Sequence, residues 1–343
     1  MLKSSYFTIR NEISPSIQEL LNSTVLGSNG AKYRHLDTPE RIKEADDPLF
    51  LTLERNEKVL GNVTFCQRGD FWYVRYFAFN SLFQAGIKTQ PSRKNKSILK
   101  NELNQFFDDV LEGKFSEKPI SSLYAYIDPK NDRSKWMSEN FDFKVIGHLA
   151  TQTYSRINPK QSERLTKEFN WTEIEATVLE KYGKHAFYYD THSCKPPYYI
   201  LRNAENEIIS FAKVTTVNWE ILRLPGKMGG LLTKMIPFIP FLNKVIKPKH
   251  HTFLVPEIVY VKDNDPVLLN ELFEAILFAE KRTLMLWWND EKDHLYTSVK
   301  DKMNWGILHK IIGVSRVDVV ERKKPTNLDQ VNSPIFISAW DFI

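Results

Sequence analysis

The sequence is short of the residues that build disulfide or metal-based frameworks. Only two cysteines, Cys66 and Cys194, occur among 343 residues. We expect them to lie in different domains as reduced thiols, because a disulfide framework or a paired-cysteine metal site requires more of them. A cluster of His185, His192 and Cys194 has a spacing that matches no standard metal site. We therefore expect no metal cofactor.

Long apolar runs are absent as well. The first residues, MLKSSYFTIRNEIS, lack the apolar core of a secretory signal, and no stretch reaches the ~18 apolar residues of a spanning helix. The sequence also contains no Walker-type loop, dinucleotide fingerprint or nucleophile elbow. These absences predict a cytoplasmic protein and exclude several common classes of nucleotide-binding and hydrolytic enzyme.

Length and composition are those of an ordinary globular protein, with 42% hydrophobic and 26% charged residues. A chain of 343 residues exceeds the ~250–300 residues at which a single core stops growing. The sequence therefore predicts two domains.

Positive charge is concentrated in two segments, residues 84–100 and 221–251, neither of which contains an acidic residue. Since the net charge is only +5, the rest of the chain is net acidic. Two local basic patches on an acidic body favour a phosphorylated ligand or an anionic surface as partner, and we expect no nucleic acid.

An internal repeat organises the chain. The segments LTLERNEKVLGNVTF (51–65) and YILRNAENEIISFAKV (199–214) both have the pattern of a hairpin. The amphipathic segments LKNELNQFF (99–107) and LLNELFEAI (268–276) each follow an aromatic or β-branched strand. Their matching order indicates a duplicated domain.

A third pair of blocks completes the repeat. Residues 123–143 and 284–306 both run from a strand through a polar stop into a helix and an aromatic end. Each half is thus predicted to be a mixed α/β unit around a central sheet, with a crossover helix joining two parallel strands. We place the boundary after the strand HLATQTYSRI (148–157), which gives domains 1–158 and 159–343.

This order of elements resembles the GNAT acyltransferase fold, in two tandem copies that cover nearly the whole chain. Residues 124–143, YAYIDPKNDRSKWMSENFDF, resemble the end of that fold, where Asn-x-x-Ala, a short helix and Gly-Phe occur. Here the pattern reads Asn131-x-x-Ser134, followed by Asn140 to Phe143. The resemblance implies an acyl-CoA co-substrate, acetyl-CoA or a longer one, held between two strands that splay apart, and an amine acceptor that the sequence does not identify.

The resemblance also implies the residues of the cofactor site. They are Phe79, Arg93, Lys94, Lys96, Ser97 and Asn131. A pyrophosphate is bound by backbone N–H groups at a helix N-terminus, and the family pattern has glycines at the positions of Lys96 and Ile98. Lysine side chains supply charge there in place of close backbone approach. The alternative is that this segment is a solvated basic loop.

The second copy differs at the equivalent place. Asp263 and Asp265 precede its helix and would repel a pyrophosphate, so we interpret Asp265 as an N-cap with Pro266 at the first helical position. Only the first copy is then a credible acyl-CoA site. Ser138 occupies the position at which the family often has a tyrosine acid, and we assign no catalytic residue.

The segment 222–251, LRLPGKMGGLLTKMIPFIPFLNKVIKPKHH, interrupts the second copy between a hairpin and a strand. Three interpretations remain open. Its apolar residues cover the seam between domains, or form a lid over an acyl chain, or make a peripheral contact with an anionic membrane.

Two functional classes are consistent with the sequence. The first is a GNAT-type N-acyltransferase that uses the N-terminal copy. The second is a catalytically degenerate protein of the same fold that binds a ligand, a partner or a membrane surface. Fold analogy places the enzyme first.

Overall fold

The computed structural model describes residues 6–27, 31–45, 47–55, 58–79, 93–117, 120–224, 226–324 and 333–342. The strands are β1 (Phe7–Arg10), β2 (Lys32–His35), β3 (Leu49–Arg55), β4 (Lys58–Arg68), β5 (Phe71–Phe79), β6 (Ser122–Ile127), β7 (Lys144–Ser155), β8 (Leu165–Glu168), β9 (Tyr198–Arg202), β10 (Ile208–Arg223), β11 (His251–Val261), β12 (Leu284–Asp290) and β13 (Ser315–Lys323). The α-helices are α1 (Pro15–Ser23), α2 (Thr38–Lys43), α3 (Arg93–Leu111), α4 (Asp132–Asn140), α5 (Glu175–Tyr182), α6 (Asp190–Ser193), α7 (Gly229–Met235), α8 (Pro240–Val245), α9 (Pro266–Ala279), α10 (His294–Val299) and α11 (Ile307–Ile312). Single 3-10 turns span Ile236–Phe238, Lys262–Asn264 and Ala339–Phe342.

The predicted repeat is present in these elements. The hairpins are β3–β4 and β9–β10, and both are antiparallel. The crossover helices are α3 and α9, each of which joins two parallel strands, β5 to β6 and β11 to β12. Because the same order of strand types occurs twice, the fold is a mixed α/β unit in tandem duplication.

One sheet contains both copies, in the order β1-β3-β4-β5-β6-β13-β7-β12-β11-β10-β9-β8, and β2 joins it through β10. At its centre the last strands of the two copies are exchanged. Strand β7 pairs with β12 of the second copy, and β13 pairs with β6 of the first. The sequence did not predict this exchange, and the boundary at residue 158 stays a prediction.

Helix packing follows the amphipathic patterns. The apolar face of α3, including Phe106 and Phe107, is buried against β3, β4 and β5. Helix α9 buries Leu272, Phe273 and Ile276 in the same way in the second copy. Each copy therefore has its own core. A further cluster, which contains Tyr124 and Phe253, joins the two copies.

Candidate active site

Strands β5 and β6 separate partway along their length. They pair in parallel through Tyr73 and Tyr124, and beyond that point β5 continues to Phe79 and β6 to Ile127 without pairing to each other. Both strands keep their outer neighbours, β4 and β13, along the diverging part. The result is a V-shaped gap in the middle of the sheet, which we call the first slot.

A buried polar cluster lies where the first slot opens. The Asp341 carboxylate accepts hydrogen bonds from the Tyr124 and Tyr126 hydroxyls, both at 3.1 Å. It also forms an ion pair with Arg68 at 3.1 Å, and the Tyr73 hydroxyl donates to the Asp341 carbonyl at 2.7 Å. We call these five residues the Asp341 cluster. An acid from the second copy thus completes a group of side chains on β4, β5 and β6 of the first.

Burial sets the protonation of the two tyrosines. Desolvation raises the pKa of Tyr124 and Tyr126 well above their usual range, and the nearby Asp341 charge raises it further. Both hydroxyls therefore stay protonated at neutral pH. Tyr124 is fully buried beneath Phe187, whose ring stacks on it with centroids 4.3 Å apart, whereas Tyr126 is only partly buried. Tyr126 is thus the less buried residue of the pair.

The second copy has an equivalent gap between β11 and β12, which we call the second slot. These strands pair only at Leu254 and Met285, then diverge toward Val261 and Asp290. Side chains of α5 occupy the edge of β11 in this gap. The Tyr182 hydroxyl donates to the Val259 carbonyl at 2.8 Å and accepts from the Val259 amide at 3.0 Å.

Three further contacts close the second slot. Lys181 also donates to the Val259 carbonyl, at 2.6 Å, and burial lowers the pKa of this lysine to about 8. From the other side, the Ile335 amide donates to the Asp290 carboxylate at 2.8 Å. The Ala339 amide donates to Glu257 at 3.0 Å. Side chains of α5 and the segment 335–339 therefore contact both strands of the second slot. The same segment continues to Asp341 at the first slot.

The predicted phosphate-binding segment has a different secondary structure from the one expected. Residues Arg93 to Ile98 were predicted to precede the helix, but they form the first turns of α3, which begins at Arg93. This stretch lacks an apolar face, so its helical character is not visible in a hydrophobic pattern. The side chains of Phe79, Arg93, Lys94, Lys96 and Ser97 lie outside the described residues. Their contact with a cofactor stays a prediction.

Asn131 and Ser138 both make local hydrogen bonds. The Asn131 side chain accepts from the Ser134 amide at 3.3 Å and so caps α4, directly after the end of β6. The Ser138 hydroxyl is buried and donates to the Lys135 carbonyl at 2.8 Å. Ser138 is thus committed to the backbone of its own helix. In the second copy, the Asp265 side chain caps α9 through the Val267 amide at 2.7 Å, which confirms the predicted N-cap.

Comparison with known proteins identifies the fold. No protein-family model and no curated protein matches the chain. Among solved structures, N-myristoyltransferase of Saccharomyces cerevisiae with bound myristoyl-CoA superposes with a TM-score of 0.52 at 10% identity, covering 98% of this chain and 84% of that one. A putative acetyltransferase of Pyrococcus horikoshii superposes with a TM-score of 0.50 at 11% identity, covering 99% and 97%. The chain has the GNAT fold.

The GNAT fold was predicted from a resemblance of the element order to that family, but the Asp341 cluster was not predicted. Tyr124 and Tyr126 lie on a strand, where core packing is the more common role of a tyrosine. Arg68 and Asp341 are 273 positions apart, so no local sequence pattern links them. A usable signal was present in the run SAWDFI at 338–343, where a single acid stands among apolar residues. Such an acid is expected to be buried with a partner.

Proposed function

We propose that the chain is an N-acyltransferase that binds an acyl-CoA in the first slot and transfers the acyl group to an amine. The observation that carries this proposal is the divergence of β5 and β6 directly beside the Asp341 cluster. A gap between parallel strands accepts an extended ligand arm, and the cluster supplies protonated hydroxyls at its entrance. We assign the donor to the first slot and not to the second because α5 and residues 335–339 already contact the strands that border the second slot.

The chemistry assigned to this site is direct transfer. The neutral amine nitrogen attacks the thioester carbonyl carbon, the carbon–sulfur bond breaks, the departing thiolate takes a proton from the protein, and the proton that the nitrogen loses returns to the same protein group. We assign that proton to the Tyr126 hydroxyl, because Tyr126 lies on the part of β6 that diverges from β5. Asp341 and Arg68 orient this hydroxyl and are positioning residues in the proposal.

The donor is acetyl-CoA or a longer acyl-CoA. Arg93, Lys94 and Lys96 at the start of α3 are proposed to face its diphosphate, because an ammonium or guanidinium binds phosphate through charge and hydrogen bonds. Asn131 is proposed to hold the adjacent helix end in place. Since the yeast structure contains myristoyl-CoA, a long-chain donor belongs in the test beside acetyl-CoA.

A second candidate is a protein of the same fold that binds a ligand without transferring an acyl group. Two observations favour it. Lys96 and Ile98 replace glycines of the family pattern, and the Ser138 hydroxyl is bonded to its own helix. Under this candidate the protein binds acyl-CoA, but adding an amine does not release free CoA thiol.

Thermal unfolding with each donor tests the proposal. A donor present at ~100 times its dissociation constant should stabilise the chain by ~2.7 kcal/mol. The variant Arg93→Ala/Lys94→Ala/Lys96→Ala should lose most of that shift, while Lys184→Ala/Lys262→Ala/Lys300→Ala, at exposed lysines elsewhere, should keep it. The variant Tyr126→Phe should bind the donor as the native chain does but should no longer release CoA thiol from it. Donor binding without thiol release in the native chain would support the second candidate, and no shift with either donor would reject both.

A further inference from the structure

The insertion between β10 and β11 has two chemically different sides. Its inner side carries Leu224, Ile236, Val245 and Ile246, all buried. They belong to the core cluster that also contains Tyr124 of the first copy, so this side packs at the seam between the copies. The seam interpretation accounts for these residues and for Leu232 and Leu242, which are partly buried against the same cluster.

The outer side exposes large apolar side chains. Phe238 is 80% exposed, Met228 68% and Phe241 64%. Leu231 and Met235 are about half exposed, and with Met228 they follow the i, i+3, i+7 spacing of one helical face. Since the inner residues face the core, these five side chains point away from the body. We call them the outer apolar face.

Positive charge surrounds the outer apolar face. Residues 221–250 contain no acid and six basic residues, namely Arg223, Lys227, Lys234, Lys244, Lys247 and Lys249. The five lysines are exposed, and none of them appears in the ion pairs formed among the described residues. Lys234 follows Leu231 by three positions in the same helix, and Lys227 directly precedes the N-cap Met228. Apolar side chains interleaved with exposed ammonium groups are complementary to an anionic lipid surface.

Specific hydrogen bonds and one close backbone approach fix the conformation of the insertion. The Thr233 hydroxyl accepts from the Leu224 amide at 2.9 Å and donates to the Gly229 carbonyl at 2.7 Å. A Cβ at Gly229 would lie 1.7 Å from the Leu224 carbonyl oxygen, so the chain approaches there as only glycine allows. The Thr283 hydroxyl fixes the other end through the Lys244 carbonyl at 2.9 Å. The outer apolar face is therefore presented by a structure anchored at both ends.

We propose that the outer apolar face and its lysines dock the protein on the surface of an anionic lipid bilayer. Within the residues that the structure describes, no helix is long and apolar enough to cross a membrane. The contact is accordingly peripheral, with Phe238 and Phe241 entering the headgroup region and the lysines remaining at the phosphate level. This proposal is independent of the acyltransferase proposal, because it uses none of the residues of the first slot.

Co-sedimentation with vesicles tests it. The native chain should bind vesicles of phosphatidylcholine with about 30 mol% phosphatidylserine, bind weakly to pure phosphatidylcholine, and dissociate with salt. Phe238→Ser/Phe241→Ser should reduce the partition coefficient by about tenfold or more, because two exposed rings no longer enter the lipid. Lys227→Gln/Lys234→Gln/Lys244→Gln should reduce it by about a hundredfold, at about fivefold per lysine, and remove the preference for phosphatidylserine.

Matched variants away from the insertion serve as controls. Phe169→Ser removes another ring that is largely exposed, and Lys184→Gln/Lys262→Gln/Lys300→Gln removes the same charge elsewhere. Both should bind vesicles as the native chain does, with unchanged thermal midpoints for all four variants. Absence of vesicle binding by the native chain would overturn the proposal, as would equal loss in the insertion and control variants. Concentration-dependent dimerisation that Phe238→Ser/Phe241→Ser abolishes, without vesicle binding, would assign the face to a second copy of the chain instead.

Discussion

The two slots of this protein have the same strand geometry but differ in the side chains that line them. In both, a parallel pair separates after a short paired stretch while each strand keeps its outer neighbour. At the second slot, Tyr182 and Lys181 cap both backbone groups of Val259 that face the gap. At the first, the side chains near the opening gather around Asp341, which arrives from the other copy.

This difference shows that the two copies of a duplicated fold take different structural roles. The segment that closes the second slot through Glu257 and Asp290 is the same segment that carries Asp341 into the first. Strand β13 of the second copy also pairs with β6, the strand that forms one wall of the first slot. The second copy thus contributes structural parts to the first slot while its own slot is closed.

The Asp341 cluster offers the largest test of that contrast. Asp341→Ala removes the carboxylate that pairs with Arg68 in a buried position, and breaking such a pair costs about 3–5 kcal/mol of unfolding free energy. Chemical denaturation measures the loss. The exposed pair of Arg10 and Glu54 serves as the control, and Glu54→Ala should cost about 1 kcal/mol or less.

A double replacement separates charge from packing in the same cluster. Arg68→Met/Asp341→Leu removes both charges together and should recover much of the stability lost by Asp341→Ala. If the double variant is as unstable as the single one, the cost lies in packing or in the tyrosine hydrogen bonds. If Asp341→Ala is as stable as the native chain, the cluster does not fix the segment to the first copy.

The second copy contains a buried histidine through which acid should destabilise the fold. His251 opens β11, and burial, with the charge of Lys247, lowers the pKa of this histidine from 6.5 to about 4. The unfolded chain therefore binds a proton more readily than the folded chain between these values. His251 stabilises the fold above pH 6.5, and about 3 kcal/mol is lost as the pH falls toward 4. The corresponding strand β5 begins with Phe71.

Denaturant midpoints across this pH range measure the effect. The variant His251→Gln cannot take up the proton, so its stability should fall by about 3 kcal/mol less than that of the native chain over the window. His250→Gln, at the exposed neighbouring histidine, is the matched control and should follow the native chain. Parallel pH profiles for the native chain and His251→Gln would contradict the assignment.

Local elements were predictable from the sequence because their signals are local. Alternating aromatic and β-branched residues predicted β5 and β6, and Asp265 with Pro266 predicted the start of α9. The start of α3 was misplaced because the residues from Arg93 to Lys96 are all polar or charged, so the sequence there shows no apolar periodicity. The existence of the tandem copies followed from the order of these local signals.

Pairings between distant residues could not be predicted in the same way. The exchange of β7 and β13 depends on which of two similar strands reaches each edge, and their apolar patterns do not distinguish the edges. The closure of the second slot joins Tyr182 to Val259, 77 positions away, through a single hydroxyl. Such contacts follow from the packing of whole elements, which a periodic pattern does not specify.

The closure of the second slot gives the smallest and most selective test. Tyr182→Phe removes the hydroxyl that serves the Val259 amide and carbonyl, while Lys181 still donates to the carbonyl. One buried amide then lacks its partner, which should lower the free energy of unfolding by about 1–3 kcal/mol. Because the first slot is untouched, the thermal shift produced by acyl-CoA should equal that of the native chain.

Tyr154→Phe, at a hydroxyl bonded to Asn270 outside either slot, controls for the general loss of a buried tyrosine hydroxyl. A change in acyl-CoA binding in Tyr182→Phe and not in Tyr154→Phe would place the donor in the second slot, and the assignment of the two slots would then have to be reversed.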